Sequence, residues 1–83
     1  MFDYRFTPQV LDYVSLLDPE DRAFILKCVL DICGSPQVDN ETTFEIEVGG
    51  FTQRIRDFGD YFILFDIVTV AGEKFIAIYD IGR

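Results

Sequence analysis

The second half of the chain alternates apolar and polar residues, which is the pattern of β-strands with one face in a core. In the stretch 43–48, Phe44 and Ile46 point to one side of such a strand, whereas Glu45 and Glu47 point to the other. Glycine-containing turns separate this stretch from three further candidate strands. The pattern predicts four strands: TFEIEV (43–48), FTQRIRD (51–57), YFILFDIVTV (61–70) and FIAIYDI (75–81).

The third of these stretches, 61–70, is nearly all apolar, with Asp66 as its one charged residue. Apolar residues at consecutive positions place apolar side chains on both faces of a strand. This is typical of a central strand that is covered on both sides. We therefore expect 61–70 to lie in the middle of the sheet and to be buried on both faces.

The first half of the chain carries apolar residues at helical spacing, after a short alternating stretch at 2–6 that predicts a strand. Thr7 and Asp18 are each followed by proline, so each is expected to cap a helix whose first position is the proline. The second helix is expected to run to about Cys33, with Gly34 as its end. Two helices joined by so short a link are expected to form an antiparallel helical hairpin.

The predicted order of elements is β-αα-ββββ in a single domain over residues 1–83. Polar, turn-rich GSPQVDNET (34–42) is read as the loop between the two halves. We expect an α+β fold in which the N-terminal helical hairpin packs on one face of a mainly antiparallel sheet. The other face of the sheet is left partly open, where it could carry a site.

Charge restricts the possible partners. The net charge is −8, with seven basic and fifteen acidic residues. Residues 1–48 hold three basic and ten acidic residues, whereas 49–83 hold four and five, so an anion site is more plausible in the second half. Phosphate binding needs clustered cations. We therefore expect no binding to free DNA.

The reactive residue types narrow the chemistry further. There is no histidine, which excludes a histidine base and every histidine-containing zinc site. Cys28 and Cys33 fit no zinc spacing and are expected to pack as small hydrophobes. We expect no cofactor and no metal. No signal peptide and no apolar run of roughly 18 residues is visible, so we expect a soluble cytoplasmic protein without a membrane partner.

Three motifs, in their order and spacing, resemble the RelE/ParE toxin superfamily of bacterial type II toxin–antitoxin modules. GSP lies at 34–36, after the predicted hairpin. RIRDFGDYFILF at 54–65 resembles the family's basic–apolar–basic strand, its GDYR turn and the apolar strand that follows. IAIYDIGR at 76–83 resembles the closing I.IGHR. The resemblance covers nearly the whole chain and implies a RelE/ParE-like fold.

The resemblance also implies a function and a site. Members of the family are toxins that a wrapped antitoxin protein neutralises. The RelE branch cleaves messenger RNA on the ribosome, without a metal, whereas the ParE branch poisons DNA gyrase. In the RelE reaction a ribose 2′-hydroxyl attacks the adjacent phosphate, and basic residues stabilise the developing charge. Carried over position by position, the catalytic candidates are Arg54, Arg56 and Arg83.

The sequence also departs from the family pattern. The arginine that follows GDY in the family is Phe62 here, and an aromatic ring cannot clamp a phosphate. The closing GHR is shortened to GR at 82–83, and we expect no C-terminal extension to supply further catalytic side chains. Ribonuclease members are usually basic, whereas this chain is strongly acidic. These departures argue against ribonuclease activity.

Two interpretations of Arg54 and Arg56 stay open. They could form a two-pronged anion site on one face of the sheet. Alternatively, they pair across strands with Glu45 and Glu47, which have the opposite charge and the same alternation, and we favour this pairing. Tyr61 is expected to be a core aromatic residue with its hydroxyl at the edge. Four carboxylates are expected on the solvated surface: Asp57, Asp60, Asp66 and Asp80.

Three functions follow from the resemblance. The first is a toxin-like component that inhibits growth through translation, gyrase or another protein target and is held by an antitoxin. The second is a catalytically degenerate member that acts only as a protein-binding module. The third, ranked last, is a ribosome-dependent messenger-RNA endoribonuclease. The protein is expected to be an enzyme only in the third case.

Overall fold

The structure is a computed structural model that describes residues 1–36 and 43–83, and its order of elements is the predicted one. It has two helices and a five-stranded mixed sheet, which confirms the α+β class. The expected loop at 37–42 lies outside the described residues. No helix in the described part is both long and apolar enough to cross a membrane. The elements are β1 (Asp3–Phe6), α1 (Pro8–Ser15), α2 (Pro19–Gly34), β2 (Thr43–Val48), β3 (Phe51–Asp57), β4 (Phe62–Val70) and β5 (Glu73–Gly82).

The strands form one sheet in the order β1-β5-β4-β3-β2. β1 runs parallel to β5, and the other three neighbouring pairs are antiparallel, so the mainly antiparallel prediction is confirmed. The β4–β5 register shifts where Leu64 pairs with Asp80 and Phe65 with Ile78. Tyr79 is therefore an extra residue, a β-bulge, which locally increases strand twist.

Both helices start where the sequence predicts. The Thr7 hydroxyl oxygen accepts a 3.3 Å hydrogen bond from the Val10 amide, as an N-cap should. Asp18 is the N-cap residue of α2, as predicted. Its side chain makes no capping hydrogen bond, so the expected capping interaction is wrong. Arg22 holds the link instead, because its guanidinium donates to three carbonyl oxygens at the end of α1 and beyond it: Val14, Ser15 and Leu17.

The core lies between the two helices and one face of the sheet, which we call the inner face; the opposite face is the outer face. Burial of the aliphatic and aromatic side chains of this core is the main favourable contribution to the free energy of folding. The fully buried side chains come from α2, β4 and β5: Ile25, Val29, Ile32, Cys33, Ile63, Phe65, Ile76 and Ile78.

β4 is the central strand, as predicted, but it is buried on one face only. Phe62, Leu64 and Val68 on its outer face are half-buried, and Val70 is exposed. The expectation that both faces are buried is therefore wrong. Its physical reason is that both helices pack on the inner face, and no second layer covers the outer face within residues 1–36 and 43–83.

Candidate functional site

Arg56 is a buried structural arginine in this geometry. Its side chain points to the inner face and the residue is 3% exposed. The guanidinium donates hydrogen bonds to Thr43 Oγ1 at 2.7 Å, to the Ser35 carbonyl oxygen at 2.7 Å and to Asp31 Oδ2 at 3.3 Å. It also lies 5.7 Å from the Phe65 ring centroid. These contacts tie β3 to β2 and to the C-terminal end of α2.

Arg54 forms an ion pair with a partner that the sequence analysis placed on the solvated surface. Its Nη1 lies 3.0 Å from Asp66 Oδ1, and the two side chains are 25% and 30% exposed. Glu45 is the cross-strand register neighbour of Arg54, but the ion pair goes to Asp66. The preferred Glu45 and Glu47 pairing is thus replaced by Asp66 for Arg54 and by Asp31 for Arg56.

The geometry explains this exchange of partners. β3 and β4 pair only as far as Arg54 and Phe65, so Asp66 is the first β4 residue beyond the paired segment. Its carboxylate Oδ1 also accepts a 2.9 Å bond from the Ile67 amide, which orients it. A partly buried, oriented carboxylate attracts a guanidinium more strongly than the exposed Glu45, because water screens the interaction less.

Arg83 is exposed and lies at a different place on the sheet. Its guanidinium carbon is 4.9 Å from the Tyr61 ring centroid, a cation–π contact. Arg83 follows Gly82, which pairs with Phe62, whereas Arg54 pairs with Phe65. With strands about 4.8 Å apart and a rise of about 3.4 Å per residue, the Cα atoms of Arg54 and Arg83 are separated by on the order of 15 Å.

The three arginines therefore do not form one cluster. Arg54 and Arg56 share a strand face, as predicted, but Arg54 is ion-paired and Arg56 is buried among three acceptors. Of the three, Arg83 alone has an exposed guanidinium without an ion pair among the described residues. The catalytic role of these residues stays a prediction, and this geometry presents one accessible cation rather than three.

Phe62, which stands where the family has an arginine, lies on the outer face. It pairs with Asp57 and Gly82, while Arg56 pairs with Ile63 on the inner face. The Phe62 ring covers Gly82 so closely that a Cβ at position 82 would overlap it. The side chain of an arginine at position 62 would therefore also project from the outer face, away from Arg54 and Arg56.

Tyr61 is a core residue, as predicted, but its hydroxyl is buried rather than at the edge. The residue is 2% exposed, its ring packs 6.0 Å from that of Phe24, and its hydroxyl has no hydrogen-bond partner among residues 1–36 and 43–83. Burial raises the pKa of the Tyr61 phenol, and the Arg83 guanidinium opposes this shift. A neutral phenol held without an acceptor is poorly placed to transfer a proton.

Within the described part of the chain, the carboxylates and thiols form no metal or nucleophilic site. Among the described residues, no group of three or more cysteine, aspartate or glutamate side chains is placed to hold a metal. Asp57, Asp60 and Asp80 are exposed, which confirms their surface prediction, whereas Asp66 is half-buried. The thiols of Cys28 and Cys33 are buried and free.

Burial raises the pKa of Cys28 to about 11, and Asp31 adds to the shift. Burial also raises the pKa of Cys33. Both thiols are therefore protonated at neutral pH and unreactive. This confirms their interpretation as small hydrophobes.

An open groove lies at the β1 edge, where β1 meets the end of the β4–β5 hairpin. Arg5 lies 4.3 Å from the Phe75 ring centroid at its centre. Two cations and two carboxylates line this groove, so it carries no net charge that would select an anion. Its lining residues are Asp3, Tyr4, Arg5, Glu73, Lys74 and Phe75.

The outer face is a second candidate surface. Phe44, Ile55 and Leu64 form a row across three strands through direct register pairing. Phe51 is 73% exposed and Phe44 is 51% exposed, which is unusual for phenylalanine. The outer face of the sheet also carries half-buried apolar residues: Ile46, Ile55, Phe62, Leu64, Val68 and Phe75.

The sequence predicts a partly open second face, but the family resemblance points to the arginines, rather than to this face, as the site. The signal was present in β2, where the apolar residues Phe44 and Ile46 alternate with Glu45 and Glu47. Alternation alone cannot say which side of a strand faces a helix layer. The helices lie closest to β1 and β5, so at β2 the apolar side faces outwards.

A comparison of the sequence with protein-family models finds no match. A comparison with curated proteins likewise finds no similar sequence.

Proposed function

We propose that this chain is a protein-binding domain of RelE/ParE-like architecture, and that its partner protein covers the outer face. The single observation that carries the proposal is the row of apolar side chains across β2, β3 and β4 with two phenylalanines more than half exposed. Exposed apolar patches of this kind are typical of protein-interaction surfaces. Aromatic residues are also enriched at the centres of interfaces.

The same arrangement supports binding over ribonuclease chemistry. Cleavage of RNA needs accessible cations around the scissile phosphate. Arg56 is buried among Thr43, Ser35 and Asp31, and Arg54 is paired with Asp66. Releasing either guanidinium would leave a carboxylate without its cation. The endoribonuclease is therefore the least supported of the three functions.

A toxin role is the second candidate, and the positions of three motifs favour it. GSP overlaps the end of α2, RIR lies near the end of β3 before the GDY turn, and IGR overlaps the end of β5, in the order that the RelE/ParE resemblance requires. In this candidate the chain inhibits growth by binding a protein target, such as gyrase or a translation component, and an antitoxin competes for it. Growth assays separate this candidate from a module that only binds.

The binding experiment uses the protein encoded by the reading frame adjacent to this one. The two proteins are co-expressed, and the tagged chain is purified and tested for a stoichiometric complex. The Phe51→Ser variant is expected to lose the complex, because it removes the most exposed apolar side chain of the outer face. Leu16→Ser is the matched control, since Leu16 is 87% exposed but lies at the end of α1.

The outcomes are distinct. Loss with Phe51→Ser and retention with Leu16→Ser support the outer face. Equal retention in both variants overturns it, as does the absence of any complex with the adjacent protein.

The growth experiment expresses the chain alone in bacteria and maps messenger-RNA ends. Growth arrest without new RNA ends, lost in Phe51→Ser, supports a protein-targeting toxin. Growth arrest with cleavage in translated codons, lost in Arg54→Ala or Arg83→Ala, overturns the proposal in favour of the ribonuclease. Normal growth together with a stable complex supports a module that only binds.

A further inference from the structure

β2 is an edge strand whose two faces differ in chemistry. Along one edge it pairs with β3, and within the described residues no strand pairs along its other edge. Phe44 and Ile46 lie on the outer face, whereas Glu45 and Glu47 lie on the opposite side and are exposed. An edge strand presents unpaired backbone donors and acceptors that another strand can bind.

Glu45 and Glu47 contribute no ion pair to the described part of the fold. Across the register from Glu45 lies Arg54, which binds Asp66 instead, and across from Glu47 lies the uncharged Thr52. Among the described residues, neither glutamate forms an ion pair. Two negative charges, two residues apart on the face opposite to Phe44 and Ile46, therefore lie next to an unpaired strand edge.

The side chains of an added strand would alternate between the same two sides. Residues beside Phe44 and Ile46 would extend the apolar outer face. Residues beside Glu45 and Glu47 would meet negative charge, and opposite charges across neighbouring strands stabilise their pairing. The chemistry of β2 thus selects a strand that alternates basic and apolar residues.

We propose that β2 binds an extended segment of a partner protein by strand addition, and that this segment alternates lysine or arginine with apolar residues. The proposal rests on the proposed function, because it assigns the chemistry of the segment through which the same partner binds. A second copy of this chain does not fit the edge. β2 paired with β2 of another copy would bring the exposed glutamates of the two strands together.

The test measures fluorescence anisotropy of labelled synthetic peptides as long as β2, titrated with the full chain. The first peptide alternates lysine and valine. The second has the same composition with all lysines in one block, and the third alternates glutamate and valine. The wild-type chain is expected to bind the first peptide most tightly and the third most weakly. This order requires both the charge and the alternation.

Variants locate the binding to β2. The Glu45→Gln/Glu47→Gln double variant is expected to bind the first peptide about fivefold more weakly, from two cross-strand charge pairs. Glu20→Gln/Glu73→Gln is the matched control, because it removes two exposed glutamates elsewhere and is expected to leave the affinity unchanged. An equal loss in both double variants would reduce the effect to net charge and overturn the proposal.

Two further results would also overturn it. One is equal affinity for the alternating and block peptides. The other is a wild-type chain that dimerises in light scattering and loses the dimer when the edge is altered by Ile46→Pro. The failure of strand addition can be distinguished from the failure of the proposed function. If Phe51→Ser abolishes the complex with the adjacent protein while Glu45→Gln/Glu47→Gln retains it, the outer face binds the partner and strand addition does not.

Discussion

The guanidinium of Arg56 donates a 2.7 Å hydrogen bond to the carbonyl oxygen of Ser35, the C-cap residue that follows α2. Carbonyl groups at a helix C-terminus lack partners within the helix and carry partial negative charge. A buried arginine from the sheet satisfies one of them here. This contact joins the helix layer to the β2–β3 side of the sheet, which the helices otherwise leave uncovered.

Arg56→Ala is expected to lower the free energy of unfolding by about 3 kcal/mol, because it removes three hydrogen bonds from a charged donor and leaves a cavity in place of a buried side chain. Urea denaturation followed by circular dichroism measures the change. Arg83→Ala is the control and is expected to change stability by about 0.5 kcal/mol or less, as befits an exposed cation–π contact. Equal effects of the two substitutions would contradict the structural role of Arg56.

Arg54 and Asp66 are expected to show a coupling energy of about 0.5 kcal/mol in a double-mutant cycle, a small value because both side chains are partly exposed. The alanine variants of each residue and of the pair are compared by denaturation at low and high salt. The coupling is expected to fall as salt is added. A parallel cycle on Arg54 and Glu45 is expected to give no coupling, and the reverse ranking would show that Arg54 binds Glu45 in solution.

The Cys28 thiol is expected to react with a thiol reagent only when the chain unfolds. Its pKa rises to about 11 in the folded state from an ordinary value of 9.0, so the folded state favours the protonated form. That stabilisation is complete below pH 9 and is lost as the pH rises to about 11. Over this pH range the wild type is expected to lose more stability than the Cys28→Ala variant. Identical pH profiles of stability in the two proteins would refute the pKa shift of Cys28.

Tyr61→Phe is expected to raise the free energy of unfolding by about 1 kcal/mol, because the substitution removes a buried hydroxyl that has no hydrogen-bond partner in the described part of the chain. Thermal and urea denaturation measure the change. Tyr4→Phe is the control on a more exposed tyrosine and is expected to leave stability unchanged. Destabilisation by Tyr61→Phe would mean that the hydroxyl is hydrogen-bonded in solution.

Local patterns predicted the elements well because their causes are local. Thr7 before a proline starts α1, and glycines at 49, 50 and 72 adopt the positive φ angles that the two hairpin turns require. Strict alternation in 43–48 identified β2. Asp18 shows the limit of such signals, because the residue type is right for a cap but Arg22 supplies the hydrogen bonds that hold the link.

The sequence by itself determined the order of elements, the alternation of each strand and the acidic charge. These depend on residues within a few positions of one another. Only the tertiary structure decided that Arg54 binds Asp66, that Arg56 binds the end of α2, and that the apolar side of β2 faces away from the helices. The two arginine contacts join residues 12 to 25 positions apart on separate elements. All three relationships therefore depend on where the helix layer packs and where the β3–β4 pairing ends.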